Sequence, residues 1–216
     1  MTSGFLLAIE GVDGSGKRSV SEALAERAVA AGRSASTFAF PNYDTPTGQA
    51  IADHLRSHDL DVPPEAAAVL FAADRLQYRE KLELALGRGE LVIVDRYVAS
   101  NAAYQAARVP VDDRRRFGEW VERLEYGLMK MPRPSLTLLL DVTLAESRHR
   151  TSTRELAAGR PGHDHYEASE DLLRAAIAQY RHFACARDWT VIEASTIALP
   201  VVVDRCWEAI DARMGA

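Results

Sequence analysis

A short apolar run followed by a glycine-rich turn and a lysine constrains the fold of this chain more than any other feature. The run FLLAIE, residues 5–10, leads into GVDGSGKRSV, in which Gly11, Gly16 and Lys17 have the spacing of a phosphate-binding loop. The residues after Lys17 have the pattern of an amphipathic helix that ends at Gly32. A strand, a glycine loop and a helix in this order predict the first unit of a parallel α/β sheet.

Four further apolar runs predict the other strands of that sheet. They are SASTFAF (34–40), LVIVD (91–95), LTLLLDV (136–142) and TVIEAS (190–195), and all show little polar alternation, as expected of strands buried on both faces. One long helix is predicted from Pro64 to near Gly87, and a last helix in PVVVDRCWEAIDARM. The sequence therefore predicts an α/β fold with five parallel strands flanked by helices, in a single domain over residues 1–216.

The overall charge and composition exclude several classes of partner. The net charge is −5, with 26 Lys and Arg against 31 Asp and Glu, so we expect no nucleic-acid or membrane partner. No apolar run reaches the roughly 20 residues of a membrane helix. The two cysteines match no metal or redox spacing, which favours reduced thiols and a cytoplasmic protein. An anionic ligand must therefore be held by local positive charge.

The phosphate-loop motif departs from its usual form at two positions. Arg18 replaces the Ser or Thr that would bind the metal, and the acid Asp13 lies inside the loop. Arg18 either contacts a transferring phosphoryl group or is an exposed helix-surface arginine, and Asp13 is best explained by a nearby Mg²⁺, a ligand hydroxyl or both. A glycine turn that only joins a strand to a helix is the alternative for the whole loop. The predicted nucleotide-binding residues are Gly11, Asp13, Gly14, Ser15, Gly16, Lys17, Arg18 and Ser19.

A second acidic position follows another strand. The run LVIVD ends in Asp95, and Arg96 comes next. An acid at the end of a buried strand beside a phosphate loop indicates Mg²⁺ binding, directly or through water, and Arg96 could hold a second phosphate group. The alternative is an Asp–Arg pair solvated at the surface.

Five motifs occur together in the order and spacing seen in thymidylate kinases: GVDGSGKRS, FPNYDTPTG, FAADR, DRYVASNAAY and the Arg-rich segment that ends in DHYE. The chain resembles that family over about residues 4–212 and looks most like its actinobacterial members. The resemblance implies a P-loop nucleoside monophosphate kinase that moves the γ-phosphoryl of ATP to dTMP, with Mg²⁺ and without a covalent intermediate. It also implies acceptor-binding helices at about 41–110, an Arg-rich lid at about 148–165, and a homodimer.

By this resemblance, two motifs supply the first part of the acceptor pocket. Tyr43 contacts the acceptor phosphate and Phe40 shapes the pocket, while Phe71 stacks on thymine and Arg75 donates to the O4 carbonyl. Cytosine would oppose this geometry because it presents an amino donor at that position. From spacing alone, a core phenylalanine with a surface arginine would be favoured for FAADR.

The remaining motifs supply the sugar side and the lid. Asn101 binds the base and Tyr104 crowds the sugar 2′ position, although a stripe of this kind otherwise indicates packing. The segment RHRTSTRELAAGRPGHDHY (148–166) fits neither a helical nor a strand pattern, and a mobile basic surface loop is the alternative to a lid.

The implied catalytic residues are Lys17, Arg18, Arg96, Arg150, Arg154 and Arg160. The implied acceptor residues are Asp13, Phe40, Tyr43, Phe71, Arg75, Arg96, Asn101, Tyr104, Asp164 and Tyr166, and the implied metal ligands are Asp13, Asp95 and Glu167.

Two rival functions remain at this point. A kinase of another mononucleotide or of a deoxynucleoside would share the phosphate loop, but a guanine site would need a carboxylate facing the donors of the base, whereas Arg75 is the candidate here. A nucleotide-binding switch protein would be expected to carry Asn-Lys-x-Asp after a strand, and that tetrapeptide does not occur in the sequence.

Overall fold

A five-stranded parallel sheet forms the centre of the molecule. The computed structural model describes residues 4–56, 62–158, 166, 169–185 and 188–215. The strands are β1 (Phe5–Glu10), β2 (Ala35–Ala39), β3 (Leu91–Asp95), β4 (Leu136–Asp141) and β5 (Trp189–Glu193). Their order in the sheet is β2-β3-β1-β4-β5, and all neighbouring pairs are parallel. All five predicted strands are confirmed, each with bounds within two residues of those expected.

The central strand β1 is buried on both faces. Phe5, Leu7 and Ile9 belong to one hydrophobic cluster, and Leu6 and Ala8 belong to another on the opposite side of the sheet. Side chains that alternate along a strand point to opposite faces, so one apolar run supplies both cores. This explains why the sequence of β1 shows no polar alternation.

Nine α-helices of the described part of the chain flank the sheet. They are α1 (Lys17–Ala30), α2 (Pro46–Arg56), α3 (Pro64–Leu76), α4 (Arg79–Gly87), α5 (Val98–Ala106), α6 (Arg114–Glu122), α7 (Leu144–Ala158), α8 (Glu170–Phe183) and α9 (Leu199–Met214). A short 3₁₀ helix at Val111–Asp113 precedes α6, and a π-helix at Arg123–Leu128 follows it. None of the helices described combines the length and the apolar character needed to cross a bilayer.

The prediction of one helix from Pro64 to Gly87 is wrong, because a turn separates α3 from α4. The Tyr78 N–H donates to the Arg75 carbonyl at 2.9 Å in this turn. The ring of Tyr78 packs edge-on against Phe38 and Phe40, with centroids 6.3 and 5.5 Å apart. These tertiary contacts favour the turn over a continued helix, although the local sequence favours helix throughout.

Two segments expected to lack regular structure are partly helical. The Arg-rich segment begins inside α7, which runs to Ala158, and α2 begins at Pro46 inside PNYDTPTG. The Thr143 hydroxyl accepts a hydrogen bond from the Glu146 N–H at 3.2 Å before α7, and proline is favourable at the first position of a helix. Residues 159–165 lie outside the described part.

Parallel pairing places the candidate site residues at one edge of the sheet. Ile9 lies opposite Asp95 in the β1–β3 register, and Ala39 lies opposite Asp95 in the β2–β3 register. The loops that follow β1, β2 and β3 therefore leave the sheet side by side, at the edge where open parallel sheets bind ligands.

Candidate active site

The loop after β1 has a backbone that only glycine adopts easily. Gly14 has a φ of 75°, and Gly16 has a φ of 92°. A Cβ atom on Gly14 would lie 2.5 Å from the Ser147 carbonyl oxygen, and the Ser147 hydroxyl donates to the Asp13 carbonyl at 2.7 Å. The loop is therefore packed against the first turn of α7, and it follows a buried strand and precedes a helix as a phosphate loop must.

Lys17 is buried beneath this loop. Its Nζ donates to the Val12 carbonyl at 2.9 Å and lies 3.5 Å from the Ser15 hydroxyl. Burial and the nearby charge of Arg96 together lower the pKa of Lys17 to about 8, against the opposing attraction of nearby carboxylates. The ammonium group is therefore held within the loop, and an anion bound there would raise its pKa and favour the protonated form.

Asp13 pairs with Arg96. An Arg96 Nη2 atom lies 2.7 Å from Asp13 Oδ1, and the Tyr104 hydroxyl donates to Asp13 Oδ2 at 3.3 Å. Burial by itself would raise the pKa of Asp13, but Arg96 and Lys17 outweigh it and hold that pKa well below its usual range. The charge of this unexpected acid is thus compensated by a protein cation, a partner that the sequence interpretation did not name.

Arg96 lies between the phosphate loop and helix α5. It has a positive φ of 63°, which is rare for a residue with a side chain. Its backbone N–H donates to the Ile9 carbonyl at 3.0 Å, and its Nη1 donates to the Gly11 carbonyl at 3.3 Å. Its guanidinium carbon lies 5.5 Å from the centroid of the Tyr104 ring. Arg96, which follows β3, is therefore held by strand β1 and by the phosphate loop after it.

Glu10 is a buried carboxylate that sequence reasoning missed. Its Oε1 accepts from the backbone N–H groups of Tyr97 and Ser100 at 3.0 and 3.3 Å, and its Oε2 accepts from the Ser100 hydroxyl at 2.5 Å. The Tyr180 hydroxyl on α8 also lies 3.4 Å from Oε2. Burial raises the pKa of Glu10. Glu10 satisfies backbone donors at the start of α5 and so joins β1 to the turn that carries Arg96.

A second buried carboxylate, Glu125, organises the candidate base pocket. Arg75 Nε and Nη2 donate to its two oxygens at 2.6 and 2.5 Å, and the Asn101 side-chain amide donates to its Oε1 at 2.9 Å. Burial would lower the pKa of Arg75, but the attraction of Glu125 raises it instead. Arg75 is only 2% exposed, so the surface arginine of the alternative interpretation is wrong. Phe71 is partly exposed and packs against the hydrophobic core.

Tyr104 and Tyr166, both expected near the sugar, lie together. Their rings are stacked with centroids 5.9 Å apart and an angle of 12° between the planes. The Tyr166 hydroxyl accepts from Arg108 Nη1 at 2.9 Å, donates to Gln105 Oε1 at 3.1 Å and lies 3.0 Å from His54 Nε2. The sequence interpretation missed these three polar neighbours because they come from α2, from α5 and from the turn after α5, all distant from Tyr166 along the chain.

Comparison with known proteins decides the family. Residues 9–204 match the family model described as thymidylate kinase. The chain is 39% identical over 188 residues to the thymidylate kinase of Mycobacterium tuberculosis, covering 85% of this chain and 87% of that protein. It is 32% identical over 193 residues to the human thymidylate kinase, covering 89% of this chain and 83% of that protein. This chain belongs to the thymidylate kinase family.

Further comparisons agree with this assignment. The thymidylate kinase of Bifidobacterium longum is 34% identical over 215 residues, covering 97% of this chain and 96% of that protein. A solved structure of the thymidylate kinase from Candida albicans has a TM-score of 0.78 at 23% identity, covering 97% of this chain and 92% of that chain. The fold of a P-loop nucleoside monophosphate kinase is thereby confirmed.

The position that distinguishes this phosphate loop, Arg18, lies on the solvent side of α1. Its Nε donates to Glu22 Oε1 at 2.9 Å, and its side chain is 87% exposed. Ser19 is exposed as well. The side chains of Arg18 and Ser19 thus both lie outside the loop. A role for Arg18 in phosphoryl transfer would require its guanidinium to leave Glu22 when a nucleotide binds.

The arginines of the predicted lid fall into three situations. Arg150 donates to Glu146 at 2.6 Å and to the carbonyls of Ala194 and Ser195 at 2.9 and 2.8 Å, so it braces α7 against the segment after β5. Arg154 is exposed, and its charge contributes to the lowered pKa of Asp13. Arg160, with Asp164 and Glu167, lies outside the described residues.

The acceptor-phosphate candidates follow β2. Phe40 is buried and Tyr43 is 49% exposed. A missed residue, the fully buried Asp74, fixes this segment: its Oδ2 accepts from the Asn42 N–H at 2.9 Å and its Oδ1 from the Thr45 hydroxyl at 3.1 Å. The FAADR motif therefore has a clear structural role at its aspartate, which ties α3 to the loop that carries Tyr43.

Asp95 provides the oxygen that best fits a metal. Within the described part of the chain, its Oδ1 is buried and has no hydrogen-bond partner. Asp95 lies opposite Ile9 in the β1–β3 register, two residues before the phosphate loop begins at Gly11, and its charge helps to raise the pKa of Lys17. No cluster of three His, Cys, Asp or Glu side chains suited to a metal occurs among the described residues. This arrangement fits Mg²⁺, which is usually held by one or two carboxylates, water and substrate phosphates.

Proposed function

We propose that this protein transfers the γ-phosphoryl group of ATP to dTMP, producing dTDP and ADP, by direct in-line displacement with Mg²⁺ as cofactor. Membership of the thymidylate kinase family supports the substrate pair. The observation that carries the proposal is in the base pocket: one buried carboxylate, Glu125, holds both Arg75 and Asn101.

The donor side of the site is the phosphate loop. Backbone N–H groups of residues 14–19 and the N-terminus of α1 would bind the phosphates of ATP, as helix N-termini do. Lys17 would place its ammonium on the β and γ phosphates, and their charge would keep it protonated. Bound Mg²⁺ would neutralise charge on the phosphates, and Asp95, whose Oδ1 has no hydrogen-bond partner among the described residues, would bind it directly or through water.

The acceptor side reads the base edge. Thymine presents a carbonyl acceptor at O4 and an N–H donor at N3, and Arg75 offers a donor while Asn101 Oδ1 offers an acceptor. Asn101 Oδ1 is buried without a hydrogen-bond partner among the residues described. Phe71 is partly exposed and can stack on the ring. The pocket therefore matches a keto pyrimidine and opposes cytosine.

Phosphoryl transfer depends more on the alignment of the two substrates and on positive charge around the transferred group than on acid–base catalysis. An oxygen of the dTMP phosphate, already ionised, attacks the γ-phosphorus as the bond to the bridging β–γ oxygen breaks and ADP leaves. Lys17 and Arg96 would spread the negative charge, and the ion pair with Asp13 supports this role by holding Arg96 at the phosphate loop. Arginines of the lid would add charge and exclude water, which would otherwise turn transfer into ATP hydrolysis.

The family resemblance also leads us to propose a cytoplasmic homodimer. Light scattering after gel filtration would give a mass near twice the 23.8 kDa of the chain. A mass equal to that of one chain at micromolar concentration would contradict the dimer.

An acceptor panel tests the function. ADP release from ATP and Mg²⁺ is measured with dTMP, dUMP, dGMP, dCMP or AMP as the only acceptor. We expect strong turnover with dTMP, weaker turnover with dUMP and negligible turnover with the others. The dGMP arm is informative because guanine also presents a carbonyl beside an N–H. Preference for another monophosphate would refute the base assignment, and ATP binding without turnover would favour a nucleotide-binding protein of another class.

A further inference from the structure

Glu125 is a fully buried carboxylate, 0% exposed, that the phosphoryl transfer itself does not use. It lies in the six-residue π-helix Arg123–Leu128 that continues from α6. Single π-turns inside helices are rare and often occur at functional sites. Here the π-helix places Glu125 on its buried side. A buried charge needs polar partners, and those of Glu125 indicate its role.

The first group that Glu125 controls is the Arg75 guanidinium. Two parallel hydrogen bonds, from Nε to Oε2 at 2.6 Å and from Nη2 to Oε1 at 2.5 Å, form a fork. A two-point contact fixes the plane and the rotation of the guanidinium. It leaves Nη1 as the nitrogen not committed to Glu125, so the carboxylate decides in which direction Arg75 presents a donor.

The second group is the Asn101 amide, whose two ends differ in what they can offer a base. The Nδ2 atom lies 2.9 Å from Glu125 Oε1 and 2.9 Å from the Ala68 carbonyl oxygen. Both of these oxygens are acceptors, so only the NH₂ end of the amide can face them. The carbonyl end is consequently turned away from Glu125, and Asn101 is only 3% exposed.

We propose that Glu125 is a positioning residue that sets the base selectivity of the site, by fixing Arg75 as the donor and Asn101 as the acceptor. This inference rests on the proposed function. Thymine offers an acceptor at O4 and a donor at N3, and cytosine offers the reverse at both positions. One oxygen, Glu125 Oε1, contacts both readers, so a change there alters both halves of the recognition together.

Glu125→Gln is the informative variant because it keeps the size of the side chain and removes the charge. Its amide has one acceptor oxygen and one NH₂ group, whereas three donor atoms face Glu125 in the native protein. The NH₂ group of the glutamine must then face at least one donor of Arg75 or Asn101. Because two donors repel each other, either the Arg75 guanidinium turns or the Asn101 amide flips. A flipped Asn101 presents NH₂ to the base, which suits N3 of cytosine and opposes N3–H of thymine.

The experiment compares the KM for dTMP with the Ki of dCMP as a competitive inhibitor, in the wild-type protein and in three variants. Glu125→Gln tests the charge, and Glu125→Asp keeps the charge but shortens its reach by one methylene. Glu122→Gln is the matched control, because Glu122 is exposed and lies three residues earlier in the same helical segment. Melting temperatures are measured on all four proteins. In the case that Glu125→Gln does not fold, the constants of Glu125→Asp provide the test.

We expect the ratio of Ki for dCMP to KM for dTMP to fall by about tenfold or more in Glu125→Gln. Glu125→Asp should give a smaller fall, and Glu122→Gln should leave the ratio unchanged. A carboxylate that only stabilises the fold would lower the melting temperature while both constants move together, so an unchanged ratio in the folded Glu125 variants would overturn the proposal. Wild-type protein that does not use dTMP would instead defeat the proposed function, before any variant is compared.

Discussion

Lys17 is the residue whose charge depends most directly on what occupies the site. Its pKa is lowered to about 8 by burial and by Arg96. Near pH 9 the ammonium of the nucleotide-free protein has therefore mostly lost its proton. Phosphates of ATP would raise the pKa back towards the ordinary lysine value of about 10.4, so binding must take up a proton at this pH.

We therefore predict proton uptake on ATP binding near pH 9, together with a fall in ATP affinity as the pH rises above about 8. Calorimetry in two buffers with different ionisation enthalpies measures the uptake. Lys17→Met at the same pH is the control and should show none of it. Equal heats in both buffers for the wild-type protein would contradict the assignment of this pKa.

Arg18 is the residue that replaces the usual hydroxyl of the loop. The structure pairs it with Glu22 on an exposed helix surface, so Arg18→Ser should cost little stability. If it reaches the transferring phosphoryl group, Arg18→Ser should lower kcat by about tenfold or more and change the Kd for ATP much less. Single-turnover rates and equilibrium ATP binding separate the two quantities. An unchanged kcat would leave Arg18 as a surface arginine.

The residues that the sequence predicts at the site differ in kind from those it does not. Asp95 and Arg96 stand at the end of one apolar run and Lys17 ends the glycine loop after another, so their place at the sheet edge follows from the local pattern. The Arg75–Glu125 pair joins residues separated by 50 positions, and no local pattern marks it. Glu10 offered one signal, because an acid that ends an otherwise apolar strand must find polar partners once buried.

At the scale of elements, the contact between the phosphate loop and α7 links nucleotide binding to the base of the predicted lid. Gly14 has a positive φ of 75° and lies against the Ser147 carbonyl. Gly14→Ala would place a methyl group 2.5 Å from that oxygen in a strained conformation. We expect a loss of about 1–3 kcal/mol of stability and a weaker affinity for ATP.

Gly87→Ala is the matched control for this substitution. Gly87 ends α4 with open space around the position of a Cβ atom, so alanine there should leave the melting temperature unchanged or raise it slightly. Thermal unfolding and ATP titration of both variants provide the comparison. A Gly14→Ala protein that matched Gly87→Ala in both measurements would show that the loop tolerates a side chain and is not held by α7.

Helices were harder to predict than strands for a physical reason. The strands of this sheet are buried on both faces, so their apolar runs stand out from the sequence. The break between α3 and α4 depends instead on the Tyr78 ring packing against Phe38 and Phe40 on and after β2, a tertiary contact that the helical pattern does not show. The same holds for α7, where an Arg-rich sequence is helical up to Ala158.

At the scale of the whole molecule, the parallel sheet brings three loops together, and two buried carboxylates join helix α5 to its neighbours. Glu10 joins β1 to α5, and Glu125 joins the π-helix to Arg75 of α3 and Asn101 of α5. Helix α5 thus takes part in both networks, one beside the phosphate loop and one beside the base. Under the proposed function, α5 would lie next to both substrates, whose separation direct transfer must keep short.

The proposed function requires that the γ-phosphoryl group of ATP pass to dTMP and not to water. The measurement that tests it most directly is ³¹P NMR of the wild-type protein with ATP, Mg²⁺ and dTMP, followed to completion. We expect one dTDP for each ADP and no orthophosphate. Orthophosphate without dTDP, or ADP formed at the same rate when dTMP is left out, would contradict it.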